Sequence, residues 1–124
     1  MTVPGMLTLD VHDRPNLAAE LDHLGSALEE MGLRATLFVP AALFEDGGVA
    51  RAIRALHASG HEIGAHGLTH DAEDSYAHLP EDEQRRRLTK ATGIIEDALG
   101  ARVDLFRAPV FRLSAATLRV LDEL

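Results

Sequence analysis

The sequence has no cysteine and no tryptophan among its 124 residues. Lack of cysteine excludes disulfides, thiolate nucleophiles and cysteine-based zinc knuckles, and it leaves the redox compartment unread. Four Phe and one Tyr offer no visible stacking platform for sugars or bases. Positive charge is short as well: twelve Lys and Arg face twenty Asp and Glu, for a net charge of −8. Nucleic-acid binders gather positive charge on one face, so that class of partner is not expected. The basic run Arg85-Arg86-Arg87 lies in an acidic helical stretch and reads as a solvated face. No run approaches the ~18 apolar residues that span a bilayer. The opening MTVPGMLTLD has neither a basic n-region nor an apolar h-region. These features predict a cytoplasmic location and no membrane partner.

What is present is a chain with 46% hydrophobic and 26% charged residues, enough to pack one core over residues 1–124 as a single domain. Strand-like and helix-like segments alternate. Residues 6–11 are apolar and β-rich, between Pro4-Gly5 and a polar turn. Leu17, Leu21, Leu24, Leu28 and Met31 recur at helical steps, with Asn16 placed to cap and Gly32 to stop the helix. Residues 35–39 form a second strand closed by Pro40, and Val49, Ile53 and Leu56 mark a helix ending near Gly60. A third strand near His61 to Gly64 leads into a histidine-rich loop. Pro80 suits the first turn of a third helix, whose inner face is Leu88, Ile95 and Leu99 and whose stop is Gly100. Residues 103–106 read as a fourth strand, and Ser114 caps a last helix carrying Leu118, Leu121 and Leu124. The fold class is α/β, a (βα)4 parallel sheet, either open or part of a barrel. A closed barrel needs about 250 residues, so the sheet is open, two copies pair as a homodimer, or the chain is a fragment.

Ligands on such sheets bind beyond the C-terminal ends of the strands. Those ends carry the chemistry-bearing residues. Five of the seven histidines fall between His57 and His78. His66 and His70 stand four residues apart at the end of the third strand, a step that turns two imidazoles toward one ion. Chance predicts about 0.4 such pairs in this composition, so the spacing alone is weak and the strand-end position strengthens it. The second pair at this spacing, His57 and His61, straddles a helix end and reads as structural or exposed. Asp10 ends the first strand, with His12 and Asp13 following, three groups able to bind metal or take a proton within four residues. Arg107, after the fourth strand, has the planar fork that orients a carboxylate, and Pro109 stiffens its loop. An acid, two histidines and an arginine at successive strand ends make a site for metal-assisted acyl hydrolysis.

These segments resemble the polysaccharide deacetylase family, also called the NodB-homology or carbohydrate esterase family 4 domain. The resemblance is carried in order by Leu7-Thr8-Leu9-Asp10, Ala35-Thr36-Leu37-Phe38-Val39, His61 to His70, and Phe106-Arg107-Ala108-Pro109. It implies a distorted (β/α) barrel and a divalent metal, most often zinc, with hydrolysis of N- or O-acetyl groups on a carbohydrate substrate. Asp10 would then be the general base, His66 and His70 metal ligands, Arg107 the group that orients the base, and the Val110 N–H an oxyanion donor. The family's third ligand is an aspartate just after the base, in an Asp-Asp or Asp-x-Asp arrangement. Here Val11 is adjacent, His12 holds the Asp-x-Asp position and Asp13 follows, so His12 or Asp13 is the third ligand, with register favouring His12. The family also continues into a late Leu-x-His motif whose histidine protonates the leaving amine. No histidine follows His78, and the resemblance covers about the first two-thirds of the domain. Three other readings stand beside deacetylation: a metal-binding but inactive homologue, a fragment completed by assembly with another chain, and a cytosolic amidohydrolase acting on a small cyclic amide.

Overall fold

The computed structural model describes residues 5–124. Three parallel strands, β1 (Leu7–Asp10), β2 (Ala35–Val39) and β3 (Glu62–Ala65), lie in that order. Asp10 pairs with Phe38 and Val39 with Ala65 in register, so the chemistry-bearing strand ends line up along one edge. β2 is buried along its whole length, as expected of the central strand of a covered parallel sheet. Crossovers are supplied by α1 (Leu17–Met31) and α2 (Gly47–Ala58), followed by α3 (Glu81–Leu99) and α4 (Ala115–Glu123). Among the described residues, no helix is long and apolar enough to cross a membrane.

The predicted fourth strand is reduced to one bridge, Ala65 to Phe106, parallel. Leu105 accepts the Ala65 N–H at 2.8 Å and Arg107 donates to the Ala65 carbonyl at 2.9 Å. The segment's start is diverted before it can pair: the Glu96 carboxylate takes the Val103 N–H at 2.9 Å, and Arg102 pairs with Asp104 at 2.7 Å. The backbone donor that a ladder needs is thus held by a side chain of α3. The single bridge still delivers Arg107 to the strand-end edge.

The main core joins the outward side chains of the sheet to α1, α2 and α3, with Leu37, Val39, Ile53, Leu28 and Ile95 almost without exposure. A smaller cluster of Tyr76, Leu88 and Val120 sits beneath α4. The inner face of α3 is as predicted, Leu88 in this cluster and Ile95 and Leu99 in the main core. α4 departs from its pattern. Thr117 and Val120 are its buried positions, while Leu118 is 59% exposed. Its N-terminus is closed by the Thr117 hydroxyl accepting the Ser114 N–H at 3.0 Å. Asn16 precedes α1 in the left-handed conformation without a side-chain cap, and Pro80 lies just before α3 rather than within it. Met31, expected on the inner face of α1, is exposed because Gly32 ends the helix beside it.

Arg87 corrects the reading of the basic run. Arg85 pairs with exposed Asp82 and Arg86 with half-buried Glu83, but the Arg87 side chain is buried against Asp74 (3.1 Å) and the same Glu83 (3.0 Å). One position further round the helix turns a solvated charge into an internal one.

Candidate metal centre

β1 ends at Asp10, and the ladder runs one residue further, the Val11 N–H donating to the Phe38 carbonyl at 2.9 Å. Alternation along extended chain buries Val11 in the core and returns His12 to the side of Asp10. The same alternation explains why Asp13 is not with them. It lies beside Asn16, Ala42 and Asp46 in a separate depression, outside the histidine cluster. Of the two candidates for a third ligand, the fold brings only His12 to the others.

His12, His66 and His70 each present a ring nitrogen within 4.8 Å of the other two. Their ring centroids lie 4.6 Å apart for His12–His70 and His66–His70, and 6.0 Å for His12–His66. His66 is 1% exposed. Its Nδ1 lies 2.7 Å from the Arg107 carbonyl oxygen, which only accepts, so Nδ1 carries the proton and Nε2 the lone pair. That Nε2 is buried with no hydrogen-bond partner among the described residues. Burial is the first cause that pushes the His66 imidazolium below its ordinary range, against the Arg107 carbonyl and Asp10, which favour it. A buried neutral imidazole aimed at two others, with its far nitrogen fixed by a carbonyl, is how proteins hold a metal-ligating histidine. The donor set therefore fits a divalent metal, with three imidazoles each offering one ring nitrogen to a common place.

Asp10 and Arg107 form the other half of the site. Arg107 Nη1 donates to Asp10 Oδ1 at 2.7 Å, and Nη2 to the Thr8 hydroxyl at 3.1 Å. The guanidinium lies 4.2 Å over the Phe38 ring and 5.5 Å from that of Phe111. Gly64 leaves room for this arrangement, since a Cβ there would meet the Phe38 ring at 2.7 Å. Held in this way, the carboxylate turns Oδ2 toward His66, 3.8 Å from Nε2. That gap is too long for a hydrogen bond.

Val110 follows on the rim, two-thirds exposed, at φ 55° and ψ 22°. The next two N–H groups, of Phe111 and Arg112, go to the Ala108 and Pro109 carbonyls. Four described residues other than glycine have positive φ: Asn16, His70, Val110 and Phe111. Three of the four border this site, and for β-branched Val110 the conformation is a strained one.

The sequence reading missed Asp74, Tyr76 and Arg87, which pack under the His66–His70 loop. Asp74 is fully buried and accepts hydrogen bonds from Thr69, His70, Tyr76 and Arg87. Burial also pushes the Tyr76 hydroxyl up. The missing signal was contact across 13 residues between Asp74 and Arg87, which no local spacing displays. His61, by contrast, is structural: it is buried and its Nδ1 accepts the Ala35 N–H at 3.1 Å. A cavity of about 550 Å³ lined by Arg34, Ser59 and His61 lies at the opposite ends of the strands, away from this chemistry.

The sequence pattern of the family described as "Polysaccharide deacetylase" matches residues 5–124. No curated protein sequence matches the chain. Among solved structures, a pseudoenzyme of carbohydrate esterase family 4 from Bacillus anthracis superposes with TM-score 0.81 at 24% identity, over 95% of this chain and 39% of that one. A family 4 acetyl xylan esterase from Clostridium thermocellum, in complex with a cobalt ion, gives TM-score 0.75 at 23% identity, over 93% and 53%. A family 4 carbohydrate esterase from Streptomyces lividans, in complex with acetate, gives 0.76 at 24%, over 96% and 58%. The chain thus spans 39% to 58% of the length of these relatives. Their likeness gives the fold, that of a partial (β/α) barrel. The match over residues 5–124 shows that the chain belongs to the polysaccharide deacetylase family.

Proposed function

We propose that His12, His66 and His70 hold a divalent metal, zinc by donor type, in a site that removes acetyl groups from carbohydrate. The observation that carries the metal reading is His66 Nε2, buried and without a hydrogen-bond partner among the described residues, in a cluster of three imidazoles. Lewis acidity toward an acyl oxygen, and a water acidified towards a pKa of about 7, are what zinc supplies in such a place. Asp10 Oδ2 takes the proton of the attacking water, while Arg107, itself held by the Thr8 hydroxyl, keeps the carboxylate from rotating away. The Val110 N–H, on its strained turn, donates to the acyl oxygen as negative charge builds there. Acetylated sugar is the substrate class supported by the family and by relatives described as an acetyl xylan esterase and an acetate-bound carbohydrate esterase.

A second reading, metal binding without turnover, is favoured by one observation. Once His12, His66 and His70 are committed as ligands, no other described histidine belongs to the cluster to protonate a leaving amine. The Bacillus anthracis relative, described as a pseudoenzyme, belongs with this reading. Acetate release from N-acetylated and O-acetylated glycan oligomers separates the two. Deacetylation predicts release by the metal-loaded chain that Asp10→Asn lowers on the order of 10²- to 10⁴-fold. Full metal content with no release supports the second reading.

A further inference from the structure

The Asp74 carboxylate lies wholly inside the protein, between the loop that carries His66 and His70 and the helix α3. Burying a carboxylate is costly unless it is paired and fully hydrogen-bonded, and this one is. Its two oxygens divide their work. Oδ2 accepts the N–H groups of Thr69 (2.8 Å) and His70 (2.9 Å). Oδ1 accepts the Tyr76 hydroxyl and Arg87 Nη1, both at 3.1 Å. Arg87 is held in turn by Glu83 at 3.0 Å, one turn back on α3, and Tyr76 stands edge-on to Phe106 at 5.7 Å. Gly67, at φ 80°, has no room for a side chain, because a Cβ there would collide with the Asp74 carboxylate and the Pro109 ring.

The loop side of this network has a conformational consequence. His70 sits at φ 63°, a left-handed backbone that a histidine does not prefer. Two successive N–H groups converging on one oxygen select the turn that points both inward, and that turn includes His70. The ring of His70 lies 4.6 Å, centroid to centroid, from those of both His66 and His12. We propose that Asp74 is a positioning residue for the metal site, fixing the backbone at His70 so that its ring meets the other two, with Arg87 and Tyr76 anchoring Asp74 to α3. This rests on the reading of the three histidines as a metal site, and the test keeps the two apart.

Titration of the metal-free chain with Co²⁺, followed by visible d–d absorption, reports both affinity and ligand geometry. Asp74→Asn keeps the shape but replaces one accepting oxygen by a donor. It weakens Co²⁺ binding on the order of 10- to 100-fold and alters the d–d bands. Leu28→Val, in the main core and beside the cavity at the opposite end of the strands, lowers thermal stability but leaves affinity within about twofold. If Asp74→Asn does not fold, Tyr76→Phe removes one of the four bonds and weakens Co²⁺ binding about threefold. Wild-type affinity and spectrum in the folded Asp74 variant, or in the Tyr76 variant where that one stands in, overturn the positioning role while leaving the metal site in place. An equal loss in Leu28→Val reduces Asp74 to a stability effect and also overturns it. Failure of the unmutated chain to bind Co²⁺ overturns the metal reading, and the inference with it.

Discussion

His66 and His70 reach the cluster from the end of β3, a buried strand, whereas His12 reaches it from a loop two residues past β1. The first arm is fixed at several points. The His66 ring is tied to the Arg107 carbonyl, and the His70 backbone to Asp74. The His12 side is exposed, its approach set by the Val11 hydrogen bond to Phe38 and by Val11 in the core. Binding to groups already in place avoids the entropy of ordering them, so the two arms contribute unequally to affinity. The difference teaches that the proposed metal site is anchored at β3 and completed from β1.

Five substitutions break or sharpen this contrast. The largest effect is expected of His66→Ala, which removes the most buried ligand and abolishes stoichiometric metal binding, read by metal content after dialysis. Asp10→Asn leaves metal bound and lowers any acetate release on the order of 10²- to 10⁴-fold, because the base lies between the arms and in neither. His12→Ala, on the less anchored arm, weakens binding without abolishing it, as a competition titration would measure. His12→Asp, which restores the carboxylate at the Asp-x-Asp position, recovers most of that loss in the same titration. The smallest effect is expected of Asp13→Asn: it lies outside the cluster, so its affinity matches that of the unmutated chain within about twofold. A loss as large as that of His12→Ala would make Asp13 the ligand instead.

The same contrast explains what the sequence could reveal. β2 and α1 were legible because a continuous apolar run and a three-and-four repeat are local patterns. His66 and His70 were legible because their spacing and their strand end are both local. His12 was favoured over Asp13 only because it holds the Asp-x-Asp position of the resembling family, and strand alternation past the Val11 hydrogen bond is what places it. The rest depended on contacts distant in sequence. Segment 103–106 has a strand's composition, but Glu96 captures its first donor, and only Phe106 pairs with β3. Arg87 was hidden in a basic run because nothing nearby announces Asp74. Leu118 has the residue type of a core position, while Thr117 takes the buried one by bonding to Gln84 and Ser114.

The most direct test of the central claim is zinc content by mass spectrometry on the purified 124-residue chain beside His66→Ala. About one zinc per chain, lost in the variant, is the predicted result. An unmutated chain without metal, or a variant that keeps a full equivalent, would contradict a metal site anchored on His66.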